Sequence, residues 1–137
     1  MKFTEADWPS TRWPNFAHNE LKCQETGELD IEPAFLDRLQ LVRSELGRPL
    51  TVTSGYRSGQ HSIELAKEKP GTHVLGVAAD IAVASGGEAY ELLQAALSNN
   101  RFAGIGLSLK GDQRFVHLDC AGFLCEFHVT RPTIWTY

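Results

Sequence analysis

The chain has 137 residues, enough for one domain with a substantial core, and its 42% hydrophobic and 22% charged residues are ordinary for a globular protein. A formal net charge of −4 provides no overall basic field to recruit nucleic acid or an acidic membrane surface. No apolar run approaches the roughly 20 residues of a membrane span.

Three cysteines, Cys23, Cys120 and Cys125, are an odd set with no C-x-x-C pair. That argues against a disulfide scaffold or a cysteine zinc site and reads as small buried hydrophobes. The acidic, aromatic start MKFTEADWPSTRW lacks the basic-then-apolar order of a secretory signal. The sequence therefore reads as a protein made in the cytoplasm, without a signal peptide.

Residues 1–30 read as irregular, with a short helical turn at HNELKC; one domain spans 1–137, and 1–15 form its irregular N-terminal segment. Pro33 opens a helix whose Phe35, Leu39, Val42 and Leu46 make one apolar stripe, and Gly47 closes it. PLTVTSGY alternates as a strand up to Gly55, and SGQHSIELAKEK reads as a helix stopped by Pro70 and Gly71. VAADIAV reads as a short buried strand. GGEAYELLQAALSNN reads as an amphipathic helix with Ala89, Leu92, Leu93, Ala96 and Leu97 inward. FAGIGLSL, RFVHLDC and EFHV read as strands. The order suits a small α+β domain with helices packed on a central, mainly antiparallel sheet.

Asp80 inside VAADIAV is the anomaly, since a buried carboxylate is costly unless something neutralises it. His73 lies seven positions earlier, an odd spacing that would put the two on opposite sides of a straight strand. Gly76 allows a turn that brings them together. His117 sits mid-strand in RFVHLD, sharing a face with Phe115 and Asp119 opposite Val116 and Leu118. Two histidines and a carboxylate are the protein ligands of a catalytic zinc site, at about 2.0–2.2 Å, with a fourth position left for water whose pKa falls to about 7. Arg57, in a glycine turn at a strand end, has a fork suited to a substrate carboxylate or a developing oxyanion. Asp119 has two readings, as general base or as a brace on a ligand.

The stretches SGYRS at 54–58, H-x-x-G-x-A-x-D at 73–80, GIG at 104–106, FVHLD at 115–119 and RPTIW at 131–135 stand in one order along the chain. In this the sequence resembles the zinc D-alanyl-D-alanine carboxypeptidase family of murein peptidases, related to lysostaphin-type endopeptidases and the hedgehog domain. The resemblance covers roughly residues 16–137. It implies one Zn2+ per chain on His73, Asp80 and His117, and a substrate or transition-state contact at Arg57, with Ser54 and Tyr56 beside it. It also implies a peptidoglycan stem peptide as partner, cut next to a D-amino acid, by a monomer that binds neither nucleic acid nor membrane. Such a protein would reach the wall after lysis or export, or from a phage particle, as an endolysin does.

Two positions depart from the family's pattern. Gly71 replaces the serine of S-x-H, and Arg114 stands where several members have an acidic base three residues before the second histidine. Asp119 is the substitute base, with His128 and His61 as further candidates and Asp112 and Glu126 as the other nearby acids. Three rival readings follow from the same residues. One is the facial triad of a non-haem iron oxygenase, with His117, Asp119 and His128, which the three helices argue against. Another is a non-catalytic peptidoglycan-binding or phage virion module that keeps the metal site. The third is an acid neutralised only by an arginine.

Overall fold

The computed structural model describes residues 1–137. The two long helices follow the apolar periodicity. Helix α2 (Pro33–Leu46) buries Phe35, Leu36, Leu39 and Val42, and Gly47 ends it at φ 65, its N–H donating to the Arg43 carbonyl. Helix α4 (Gly86–Leu97) starts on Ser85, whose hydroxyl accepts from the Glu88 amide. Its buried stripe is Ala89, Leu92, Ala95 and Ala96, so Leu97 was misplaced by the periodicity and is 52% exposed. The chain leaves α-geometry there, through a 3₁₀ turn at Ser98–Asn100 with Asn99 and Asn100 at positive φ.

Two short helices complete the set, α1 (His18–Leu21) and α3 (Ser62–Leu65). The long helix expected over SGQHSIELAKEK is only these four residues of α3. The reason is local: Ile63 and Leu65 stay exposed, so no apolar stripe offsets the cost of ordering a longer helix.

The sheet has five strands: β1 (Val52–Ser54), β2 (Ala78–Ala82), β3 (Gly104–Ser108), β4 (Phe115–Asp119) and β5 (Thr133–Thr136). Their order is β1-β2-β4-β3-β5, antiparallel except for the parallel β3–β5 pair. The architecture is the expected α+β one. EFHV, however, is not a strand; the β-branched and aromatic TIWT segment takes the edge position instead.

One face of the sheet packs against α2 and α4. Ala79, Ile81, Ile105, Val116 and Leu118 meet Phe35, Leu39, Val42 and Leu92 in a single core of 24 buried residues. Burial of each large side chain contributes about 1.5–3 kcal/mol. The N-terminal segment is pinned to this core: Trp13 is fully buried, and its indole N–H donates to Asp37 Oδ1 at 2.9 Å. No helix is long and apolar enough to cross a membrane.

Candidate metal centre

The register of the sheet builds the site. Asp80 on β2 lies directly opposite His117 on β4, which is opposite Gly106 on β3, which is opposite Trp135 on β5. Residues of opposite parity, Ala79, Ile81, Val116 and Leu118, fill the core, so Asp80 and His117 share the other face.

His73 arrives from the loop before β2. Gly76 turns that loop at φ +71, and a Cβ there would collide with the Asp30 carbonyl, so the turn needs glycine. Asp80 Oδ1 is 2.9 Å from His117 Nδ1 and 3.4 Å from His73 Nε2. One ligand atom from each residue lies within 4.8 Å of the others, and all three residues are buried.

The far nitrogen of each ring is engaged elsewhere. His73 Nδ1 is 2.7 Å from the Gly55 carbonyl, which can only accept, so Nδ1 carries the proton and Nε2 faces the trio bare. His117 Nε2 is 2.8 Å from Asp119 Oδ2, which leaves Nδ1 for the trio in the same way. Burial pushes the Asp80 carboxyl upward, but hydrogen bonds and charge from His117 and His73 outweigh it and hold it well below the usual range. For His117 burial acts downward, and the flanking carboxylates of Asp119 and Asp80 more than reverse it.

Asp119 has no exposed surface. Its carboxylate accepts from Arg131 Nε at 3.1 Å and Nη2 at 2.9 Å and from the Ala121 amide at 3.1 Å, besides facing His117. Burial raises its pKa, and the bonds from His117 and Arg131 lower it further than burial lifts it. The GIG motif makes room for these groups. A Cβ on Gly104 would overlap the Asp119 carboxylate, and one on Gly106 would meet the Trp135 ring at 2.8 Å. The Arg131 guanidinium lies 4.8 Å from the Trp135 ring centre and 5.0 Å from that of Phe127.

The trio opens into a cleft of about 580 Å³, lined also by Arg57, Lys67, Thr72, Phe115, Phe127, Arg131, Trp135 and Tyr137. Arg57 is there as the sequence suggested, 3.5 Å from the buried Glu64 carboxylate. Ser54 and Tyr56 are not; they line an adjoining groove with Asn19, Lys22 and Gln24, and Arg57 alone of the three borders both. His61 is bound up locally: Nε2 meets Glu25 at 3.0 Å, and Nδ1 accepts from the Ile63 amide. His128 is exposed against Phe127, Asp112 and Glu126 are exposed, and none of the three lines the cleft. Arg114 donates to the Gly111 and Ala84 carbonyls outside it.

The Peptidase M15 family profile matches residues 14–119. The chain belongs to the M15 peptidase family. No curated protein matches it. M15 members are metallopeptidase hydrolases, and in this M15 chain His73, Asp80 and His117 supply a donor set fit for the metal.

Lys67, Phe127, Arg131, Trp135 and Tyr137 were not singled out from the sequence as cleft residues, although RPTIW carried a visible signal for two of them. The cysteines are free; burial pushes the Cys120 thiol up to about 12.

Proposed function

We propose that the chain is a zinc-dependent peptidase that cuts peptide bonds next to D-amino acids in peptidoglycan stem peptides, as a D-Ala-D-Ala carboxypeptidase or a D,D- or L,D-endopeptidase. The observation that carries this reading is the convergence of His73 Nε2, Asp80 Oδ1 and His117 Nδ1 at the base of an open cleft that also holds Arg57. Two imidazole nitrogens and one carboxylate oxygen, with an open side, suit zinc better than an all-oxygen cation. When bound, zinc polarises a carbonyl and brings the pKa of water toward neutrality.

The chain's own residues prepare that chemistry. Gly55 and Asp119 fix the two rings, and Arg57 waits on the wall for a carboxylate or for the negative charge that develops on the carbonyl oxygen. Phe115, Phe127 and Trp135 supply an apolar wall that limits water around the reacting bond. Asp119 fits a positioning role better than that of a base: it is sealed from solvent, and its oxygens are already held by Arg131, Ala121 and His117.

Asp80 is the one carboxylate lining the cleft. That observation favours a second reading, a peptidoglycan-binding module or phage virion component that holds metal without turnover. Mass analysis of purified peptidoglycan after incubation with the zinc-loaded protein separates the two. Released D-alanine or opened cross-links, abolished by chelator, support the peptidase; intact muropeptides with retained wall binding support the module. In either case the protein acts at the cell wall, after lysis or export or from a phage particle.

A further inference from the structure

Helix α3 is inverted relative to an ordinary surface helix. Its apolar residues Ile63 and Leu65 are 49% and 63% exposed, while its acid, Glu64, is buried. A short helix that buries a charge and leaves its hydrophobes outside is held by that charge.

The Glu64 carboxylate is shared. Oε1 accepts from Lys67 Nζ at 3.0 Å and lies 3.5 Å from Arg57 Nη1. Oε2 is buried and completes no hydrogen bond, although the Gly71 backbone lies near the carboxylate. One anion therefore serves two cations, and the wall of the cleft keeps an unbalanced positive charge. Both cations line the cleft, and Lys67 keeps 39% of its side chain exposed. Asp80, the cleft's one lining carboxylate, is already occupied by the histidines.

Gly71 ties this cluster to the metal loop. It sits two residues before His73, and a Cβ there would stand 3.0 Å from Lys67 Nζ. A side chain at this position would press on the Lys67 ammonium, so the glycine leaves room for it. An ammonium held by one carboxylate and open on its cleft side has donors left for a second anion.

We propose that Lys67, held by Glu64 beside Arg57, determines substrate specificity: the two cations form a subsite for a substrate carboxylate next to the metal centre. Glu64 is the positioning residue: it holds both cations on the cleft wall, and an incoming carboxylate meets the donors they have left free. This subsite rests on the peptidase reading for its use in turnover, but its binding can be measured independently.

The test uses defined stem peptides, each as the free acid and with one carboxylate at a time capped as a carboxamide. Zinc-loaded wild type is expected to prefer one free acid over its amide by about tenfold in kcat/KM. Lys67→Met should erase that preference through a rise in KM, and Lys67→Arg should restore part of it. Glu64→Gln should lower kcat on acid and amide alike, because Arg57 loses its anchor. Equal rates on every acid and amide pair in the wild type, or an unchanged preference in Lys67→Met, would overturn the proposal. If no peptide is cut, the peptidase reading fails, and calorimetry with the same peptides decides the subsite. Tighter binding of a free acid that disappears in Lys67→Met upholds it; equal binding of acid and amide rejects it.

Discussion

Strands β2 and β4 each carry two sets of side chains, and the two sets are held by different physics. Ala79, Ile81, Val116 and Leu118 face α2 and α4, where any partner of the right shape will do. Asp80, His117 and Asp119 lie one residue away along the same strands and are nearly as buried, yet each depends on a particular atom of a particular neighbour. The apolar face draws its stability from many small contacts. The polar face draws its geometry from a few hydrogen bonds that cannot be exchanged. Mutations on the two faces should therefore fail in different measurements.

The largest effect is expected on the polar face. His117→Ala removes one of three ligands and the partner of both carboxylates, so stoichiometric zinc by elemental analysis and all hydrolysis should be lost. Leu118→Ala, its sequence neighbour on the core face, should cost about 2–5 kcal/mol in urea unfolding and leave zinc stoichiometry at one per folded chain. A Leu118→Ala protein that folds stably but loses zinc would break the comparison.

Asp119→Asn comes next. As a positioning residue it should weaken zinc by roughly 10–100-fold, read by competition with a chromophoric chelator. Undiminished zinc affinity with lost turnover would make Asp119 the base after all.

The smallest effect is expected far from both faces, at Asp37, which binds Arg12 and Trp13. The Arg12 hydrogen bond, with help from Trp13, holds its carboxyl below the usual range despite partial burial. The folded-state pKa is thus below the unfolded value of about 3.9, so the contribution is present above that value and fades as pH falls through the folded one. Wild type should exceed Asp37→Asn slightly in urea midpoint at pH 7, and the gap should close below about pH 4.

How much of this the sequence exposed follows from the range of each interaction. Helices α2 and α4 are written in 3.6-residue periodicity, and the alternation in β2 and β4 separates core from site, so Asp80 and His117 stand out by pattern, while His73 needed the turn at Gly76 and the motif it belongs to. Strand β5 was hidden because it is four residues long, mostly exposed, and defined only by its parallel pairing with β3. Ser54 and Tyr56 line the neighbouring groove, because the run that places Arg57 in the cleft does not say which way each side chain of a strand end faces. The choice between the two readings of Asp119, and any part for Lys67, lay beyond the sequence for another reason. Each is fixed by an arginine or glutamate whose approach is a product of folding: Arg131 reaches Asp119 from an irregular segment, and Glu64 is buried on a helix too short to show a pattern. Local chemistry is legible; the identity of a partner across a loop is not.

The Asp119 carboxylate has a thermodynamic consequence. It grips His117 on one side and Arg131 on the other, and the family profile ends at Asp119 itself, so the segment that walls the cleft is fastened from beyond the matched residues. Two events that share one carboxylate are linked, and linkage is reciprocal. By whatever factor an ion on His117 tightens the Arg131 contact through this carboxylate, loss of that contact weakens the ion by the same factor.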